Sequence, residues 1–154
     1  MEKQASEDEK QTSSTAGSNP EDGARILVID DSPTVVHTIR RALEPAGYSV
    51  ETLALLIELP QRLKTDPPSL IVLDLHMPAL SGVRIAGLIR SFQPHEIPVV
   101  IYSSRPLTEI QEAAAEIGAV GFVEKGSQDH LLVASVKIGL HKARLDRLEA
   151  KRTS

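Results

Sequence analysis

Five residues carry the groups that phosphoryl transfer needs, provided the fold brings them together: Asp30, Asp31, Asp74, Ser103 and Lys125. Asp30-Asp31 follow the short apolar run Arg25–Ile29, and Asp74 follows Leu70–Leu73. In an open parallel α/β sheet, ligands bind outside the carboxyl ends of the strands, which is where both acidic positions fall. Converging carboxylates repel. Two unit charges about 4 Å apart at an effective dielectric near 20 cost roughly 4 kcal/mol, so something positive must join them. Oxygen-only ligands with room for water suit Mg2+. Ser103, after Val99–Tyr102, adds a hydroxyl donor, and Lys125, after Phe122–Glu124, adds a cation. Phosphoryl transfer is mostly positioning and neutralisation of charge on phosphoryl oxygens. The nucleophile in such a site is Asp74, forming an aspartyl phosphate.

Strands must position these groups. Arg25–Ile29 reads as a first strand between Gly23 and the acids. Ser32-Pro33 is a helix start, with Ser32 capping and Pro33 in the first turn, and Val35, Val36, Ile39 and Leu43 mark one face of that helix. Pro45 and Gly47 close it, and Tyr48–Thr52 follows as a second strand. Leu53–Lys64 is leucine-rich and reads as a second helix interrupted by Pro60. Leu70–Leu73, bounded by Pro67-Pro68 and Met77-Pro78, is too short for a buried helix and suits a strand covered on both faces. Val83, Ala86, Leu88 and Ile89 mark a third helix, Ile97–Tyr102 a fourth strand, and Thr108–Ile117 a fourth helix ended by Gly118. Ala119–Glu124 gives a fifth strand, and a final helix starts near Ser127. Regular alternation predicts an α/β, flavodoxin-like (βα)5 three-layer sandwich with a parallel five-stranded sheet in the order 2-1-3-4-5.

The 154 residues, 41% of them hydrophobic, suit one domain with tails. Residues 1–24 read as a solvated or partner-docking tail, 25–141 as the domain, and 142–154 as an extension of the last helix. A net charge of -4 and the lack of a Lys/Arg-rich run argue against direct nucleic-acid binding. The chain has no cysteine, which removes disulfides and thiolate metal sites. No apolar stretch approaches a membrane span, and the expected location is the cytoplasm. In the last helix, Leu131, Leu132, Val136 and Leu140 can cover the sheet, yet the pattern continues to Leu145 and Leu148 among many charges. That continuation is either a solvated helix end or a short helix for a homodimer or another partner.

Taken in order, Asp30-Asp31, Asp74-Leu75-His76-Met77-Pro78 with Ser81-Gly82, Ser103-Ser104 and Gly118 through Lys125 resemble the receiver domain of bacterial two-component response regulators, over residues 25–141. The resemblance implies that Asp74 accepts phosphate from a histidine kinase or phosphotransfer protein. It also implies that Asp31 and Asp74 bind Mg2+ directly, that Asp30 acts through water, and that the His76 backbone carbonyl completes the ligands. Lys125 would contact the phosphoryl group and Ser103 would move to hydrogen-bond it. Phe122 would turn inward, reshaping for a downstream protein the face built from the fourth helix, fifth strand and fifth helix. Phe122 has a plainer reading as core, and the His76 side chain one as a rim group.

The family usually has a cis proline after the lysine, where this chain has Gly126. A cis bond before a non-proline residue costs roughly 2.5–4 kcal/mol, so a trans bond is expected. Two functional readings remain open: a stand-alone phosphoacceptor switch without a catalytic output, and a receiver-like interaction module that works without phosphorylation. An aspartyl-phosphate phosphatase of the haloacid dehalogenase type needs a second acid two residues after the nucleophile, where His76 stands. A flavodoxin would set a flavin phosphate against Asp30-Asp31.

Overall fold

A computed structural model of the chain describes residues 21–53, 55–75, 82–92 and 97–153. Five strands, β1 (Arg25–Ile29), β2 (Ser49–Thr52), β3 (Leu70–Leu73), β4 (Val99–Ser103) and β5 (Gly121–Glu124), form one parallel sheet in the order 2-1-3-4-5. Five helices follow them: α1 (Pro33–Leu43), α2 (Leu59–Thr65), α3 (Gly82–Phe92), α4 (Leu107–Ile117) and α5 (Asp129–Thr153). The expected architecture is therefore the observed one.

Alternation of side chains along the strands divides the core into two layers. Ile26, Val28, Leu70, Val72, Val100 and Tyr102 face α1 and α5, meeting Ile39, Leu43, Leu132, Val136 and Leu140. Leu27, Ile29, Ile71, Leu73 and Ile101 face the other way, toward Leu59 and Leu63 of α2, Ile85 and Ile89 of α3, and Ile110 and Ile117 of α4. The central strands β1 and β3 are almost wholly out of water, as a strand covered on both faces must be.

Local chemistry sets the element ends. The Ser32 hydroxyl accepts the Val35 N–H at 3.3 Å with Pro33 at the first position of α1, as the sequence predicts. Gly118 closes α4 in the left-handed conformation at φ 72°. Several boundaries differ from expectation, and β4 and β5 each begin two residues later than expected, at Val99 and Gly121. Pro60 does not interrupt α2; it stands in its first turn, where no N–H is missed, and the preceding Leu56–Glu58 forms a separate 3-10 turn. The last helix begins at Asp129 and runs 25 residues without a break to Thr153. Residues 1–20 of the expected tail lie outside the described residues, whereas Gly23 donates to the Gly47 carbonyl at 2.8 Å and Glu21 stands 3.8 Å from Arg144, so this stretch is held against the domain.

Candidate functional site

Strand register brings the chemistry together. Ile29 pairs with Leu73, and the Asp74 N–H donates to the Ile29 carbonyl at 3.0 Å, so the acids after β1 and β3 leave the sheet side by side. On the other flank Ser103 pairs with Glu124, and the Lys125 N–H donates to the Ser103 carbonyl at 2.7 Å. The four strand ends that carry the five predicted residues thus lie on one rim, at the carboxyl edge of the sheet and at the point where strand order reverses.

Asp30, Asp31 and Asp74 each offer a carboxylate oxygen, and these oxygens lie within 4.8 Å of one another. Asp74 is buried and Asp31 exposed, which gives the cluster a wet side and a dry side. The Lys125 ammonium answers the charge, with Nζ 3.0 Å from Asp30 Oδ2 and 3.5 Å from Asp74 Oδ1. Asp30 also accepts the Ser32 N–H at 2.9 Å, so its carboxylate is oriented by the turn that opens α1. An all-oxygen donor set with one exposed member fits a small hard divalent ion such as Mg2+.

Ser103 ends β4 completely buried, and its Oγ accepts the Arg105 N–H at 3.1 Å. Accepting leaves the hydroxyl proton for an acceptor elsewhere. The Arg105 guanidinium turns along α4 to Glu109 at 3.0 Å. The predicted backbone ligand His76, and with it Met77, Pro78 and Ser81, lies outside the described residues. Phe122 is 36% exposed on the edge strand β5, so the plain core reading does not hold.

One feature of the site was missed in the sequence. Tyr102, directly before Ser103, is buried, and burial pushes its phenol up, with the Asp129 charge adding to this; Lys125 and a backbone hydrogen bond from Gly126 act in the opposite direction. A tyrosine inside an apolar strand gives no signal of this in sequence. Gly126 takes φ +92°, and no described peptide bond is cis. Proline's ring holds φ near −65°, so proline would not fit this backbone, and it has no N–H to give Tyr102. Glycine bends the loop without displacing the Lys125 ammonium from the acids.

Residues 26–137 match the family described as response regulator receiver domain. Response regulator MprA of Mycobacterium ulcerans is 30% identical over 126 residues, 82% of this chain and 54% of that protein. Transcriptional regulatory protein PrrA of Mycobacterium tuberculosis is 32% identical over 118 residues, 77% of this chain and 50% of that protein. The chain thus spans about half the length of these curated relatives. Among solved structures, a response regulator receiver domain protein from Clostridium thermocellum is 27% identical with a TM-score of 0.68, covering 79% of this chain and 98% of that one. The receiver domain of a sensor histidine kinase from Pseudomonas aeruginosa, solved with magnesium in its active-site cleft, shares the fold at a TM-score of 0.68 and 21% identity, covering 77% and 98%.

Proposed function

The chain belongs to the response regulator receiver family, and from that premise we propose that Asp74 accepts a phosphoryl group from a phosphohistidine of a kinase or phosphotransfer protein. In that step an Asp74 carboxylate oxygen forms a bond to phosphorus as the N–P bond breaks, and the departing imidazole nitrogen keeps the electron pair and takes up a proton. The single observation that carries this reading is the placement of Lys125 Nζ 3.0 Å from Asp30 and 3.5 Å from Asp74, with the acid oxygens within 4.8 Å of one another.

Mg2+ held by Asp31 and Asp74, with Asp30 through water, would neutralise phosphoryl oxygens that otherwise face three carboxylates. The Lys125 ammonium would follow the phosphoryl oxygens as they arrive. The Ser103 hydroxyl would donate to the phosphoryl group, keeping the Arg105 N–H on its lone pair. Phosphorylation then favours the arrangement in which Ser103 has moved in, and the exposed Phe122 is free to follow it inward. The readout is a changed α4–β5–α5 surface and a changed affinity for a downstream protein, with no product beyond slow self-dephosphorylation. Cytoplasmic location belongs to this same reading; among the described residues no helix is long and apolar enough to cross a membrane.

Gly126 favours a second reading, binding that ignores phosphate, because a glycine at φ +92° with no cis bond stands where the family usually has a cis proline. Intact-mass spectrometry after acetyl phosphate and Mg2+ separates the two. The phosphoacceptor reading expects one added phosphoryl group that is lost in Asp74→Asn and when the metal is chelated. A mass that never changes in the wild-type chain overturns it.

A further inference from the structure

We infer that the outer face of α5 is a seam for a second copy of this chain, forming a parallel two-stranded coiled coil. The inward face of α5 is settled by its own domain: Leu132, Val136, Gly139, Leu140 and Ala143 are buried. Beyond them, Asp146, Arg147 and Ala150 line a cavity shared with Ile89, Ile97 and Ile117, so the extension keeps the same side toward the domain. Diametrically opposite runs a second stripe, Leu131, Ala134, Ile138, His141, Leu145 and Leu148, in which every member is exposed. Ile138 is 62% exposed and Leu145 50%.

The spacing of that stripe is alternately three and four residues, the a and d positions of a heptad. A surface helix needs one apolar stripe of period about 3.6; a second one at period 3.5 on the solvent side has no use within the monomer. Short coiled coils fail in isolation because the helix must first be ordered. Here packing on the sheet has already ordered α5, and the seam needs only to dock.

Flanking charges select the orientation. In a parallel pair, the residue before each a position meets the residue five further along the other copy. That sets Arg144 of one copy by Glu149 of the other, twice, and Lys137 by Lys142, twice. An antiparallel pair with the whole stripe overlapped would set Lys137 against Arg144 in both directions and would lack the Arg144–Glu149 contact between copies. Parallel pairing balances its like-charge contacts with opposite ones, and the antiparallel form does not. Arg144 already stands 3.8 Å from Glu21 in its own chain, leaving room for its guanidinium to bridge both acids.

Three substitutions on the full chain test this, all at exposed positions that do not enter the core. Sedimentation over a wide dilution series should show a reversible monomer–dimer equilibrium. Ile138→Glu should weaken it by at least about tenfold, and His141→Leu, which replaces the one polar member of the seam, should tighten it by a similar factor. The chain has no cysteine, so Leu145→Cys gives a clean orientation test. Parallel pairing puts the two thiols side by side and mild oxidation should link them, whereas the antiparallel form would hold them about 16 Å apart, beyond disulfide reach. A wild-type chain that stays monomeric throughout, a dimer indifferent to Ile138→Glu, or a dimer whose Leu145→Cys form does not cross-link overturns the inference. These readouts need no phosphoryl group, so the failure of the phosphoacceptor reading would leave them intact.

Discussion

At the scale of single residues, a charged pair far from the reactive rim shows how one carboxylate can serve stability. Arg25 grips Asp66 through its two terminal guanidinium nitrogens, at 2.9 Å and 2.7 Å, and donates to the Pro67 carbonyl at 3.0 Å, tying the start of β1 to the segment before β3. The hydrogen bond from Arg25 holds the Asp66 carboxyl below its ordinary range; desolvation opposes this, and the charges of Arg25 and Arg62 reinforce it. A carboxyl lowered in the folded state binds fewer protons there than when unfolded. Its contribution is therefore present above the ordinary carboxylate value and is lost as pH falls through the lowered one. Asp66→Asn should unfold at a lower urea concentration than the wild type at neutral pH, and the gap should narrow as pH falls below the ordinary carboxylate range. Because the pair is exposed the effect is modest, and equal midpoints at neutral pH would show that it contributes nothing. Site residues were legible to different degrees at this scale. Asp30, Asp31, Asp74, Ser103 and Lys125 announced themselves because each polar group interrupts or ends an apolar run. Tyr102 did not, because its hydroxyl lies inside such a run and only the neighbouring loop reveals what it meets.

Among the elements, strands were easier to read than helix boundaries. β1, β3 and β4 are apolar runs between glycines, prolines and acids, and nothing competes with that reading. Pro60 was ambiguous because proline breaks a helix it interrupts and begins one it enters, and the choice is made by where Leu59 and Leu63 find cover against the sheet. α5 hid its second stripe for a different reason. With apolar residues on two opposite faces the periodicity blurs, and only the burial of one face exposes the regularity of the other. Packing of the inward face can be tested at Gly139. A Cβ built there would meet Val120 Cγ2 at 2.8 Å and Leu70 Cδ1 at 3.0 Å, so glycine lets α5 lie close to the sheet beside β3 and β5. Replacing glycine with alanine within a helix ordinarily gains up to about 1 kcal/mol, whereas overpacking a fitted contact costs about 1–3 kcal/mol. Leu70 is fully buried and Val120 is branched at the contact, leaving neither an easy retreat, and the cost should win. Gly139→Ala should therefore lower the urea midpoint; a midpoint raised above wild type would mean that α5 can lift from the sheet at little cost.

For the molecule as a whole, the reactive rim and the stability of the fold pull against each other. Two hydrophobic layers hold β1, β3 and β4 in register, and that register forces three carboxylates to within 4.8 Å at the strand ends. Lys125 offsets the charge on Asp30 and Asp74, at 3.0 Å and 3.5 Å, but a single ammonium cannot balance three acids. Asp31 is the exposed member, so in metal-free solution its repulsion by the others is screened and amounts to about 1 kcal/mol or less. Removing that charge should stabilise the metal-free fold, while a metal that binds only the folded site should stabilise the wild type by mass action. Asp31→Asn is thus expected to melt slightly above the wild type in chelator, and the order should reverse as Mg2+ is added, because the wild type gains and the variant gains much less. Thermal melts of both chains across a magnesium series, with calcium as a second ion, measure this directly. Equal gains in the two chains would remove Asp31 from the ligands, and a variant that melts below the wild type in chelator would mean that the carboxylates are held together by more than Lys125.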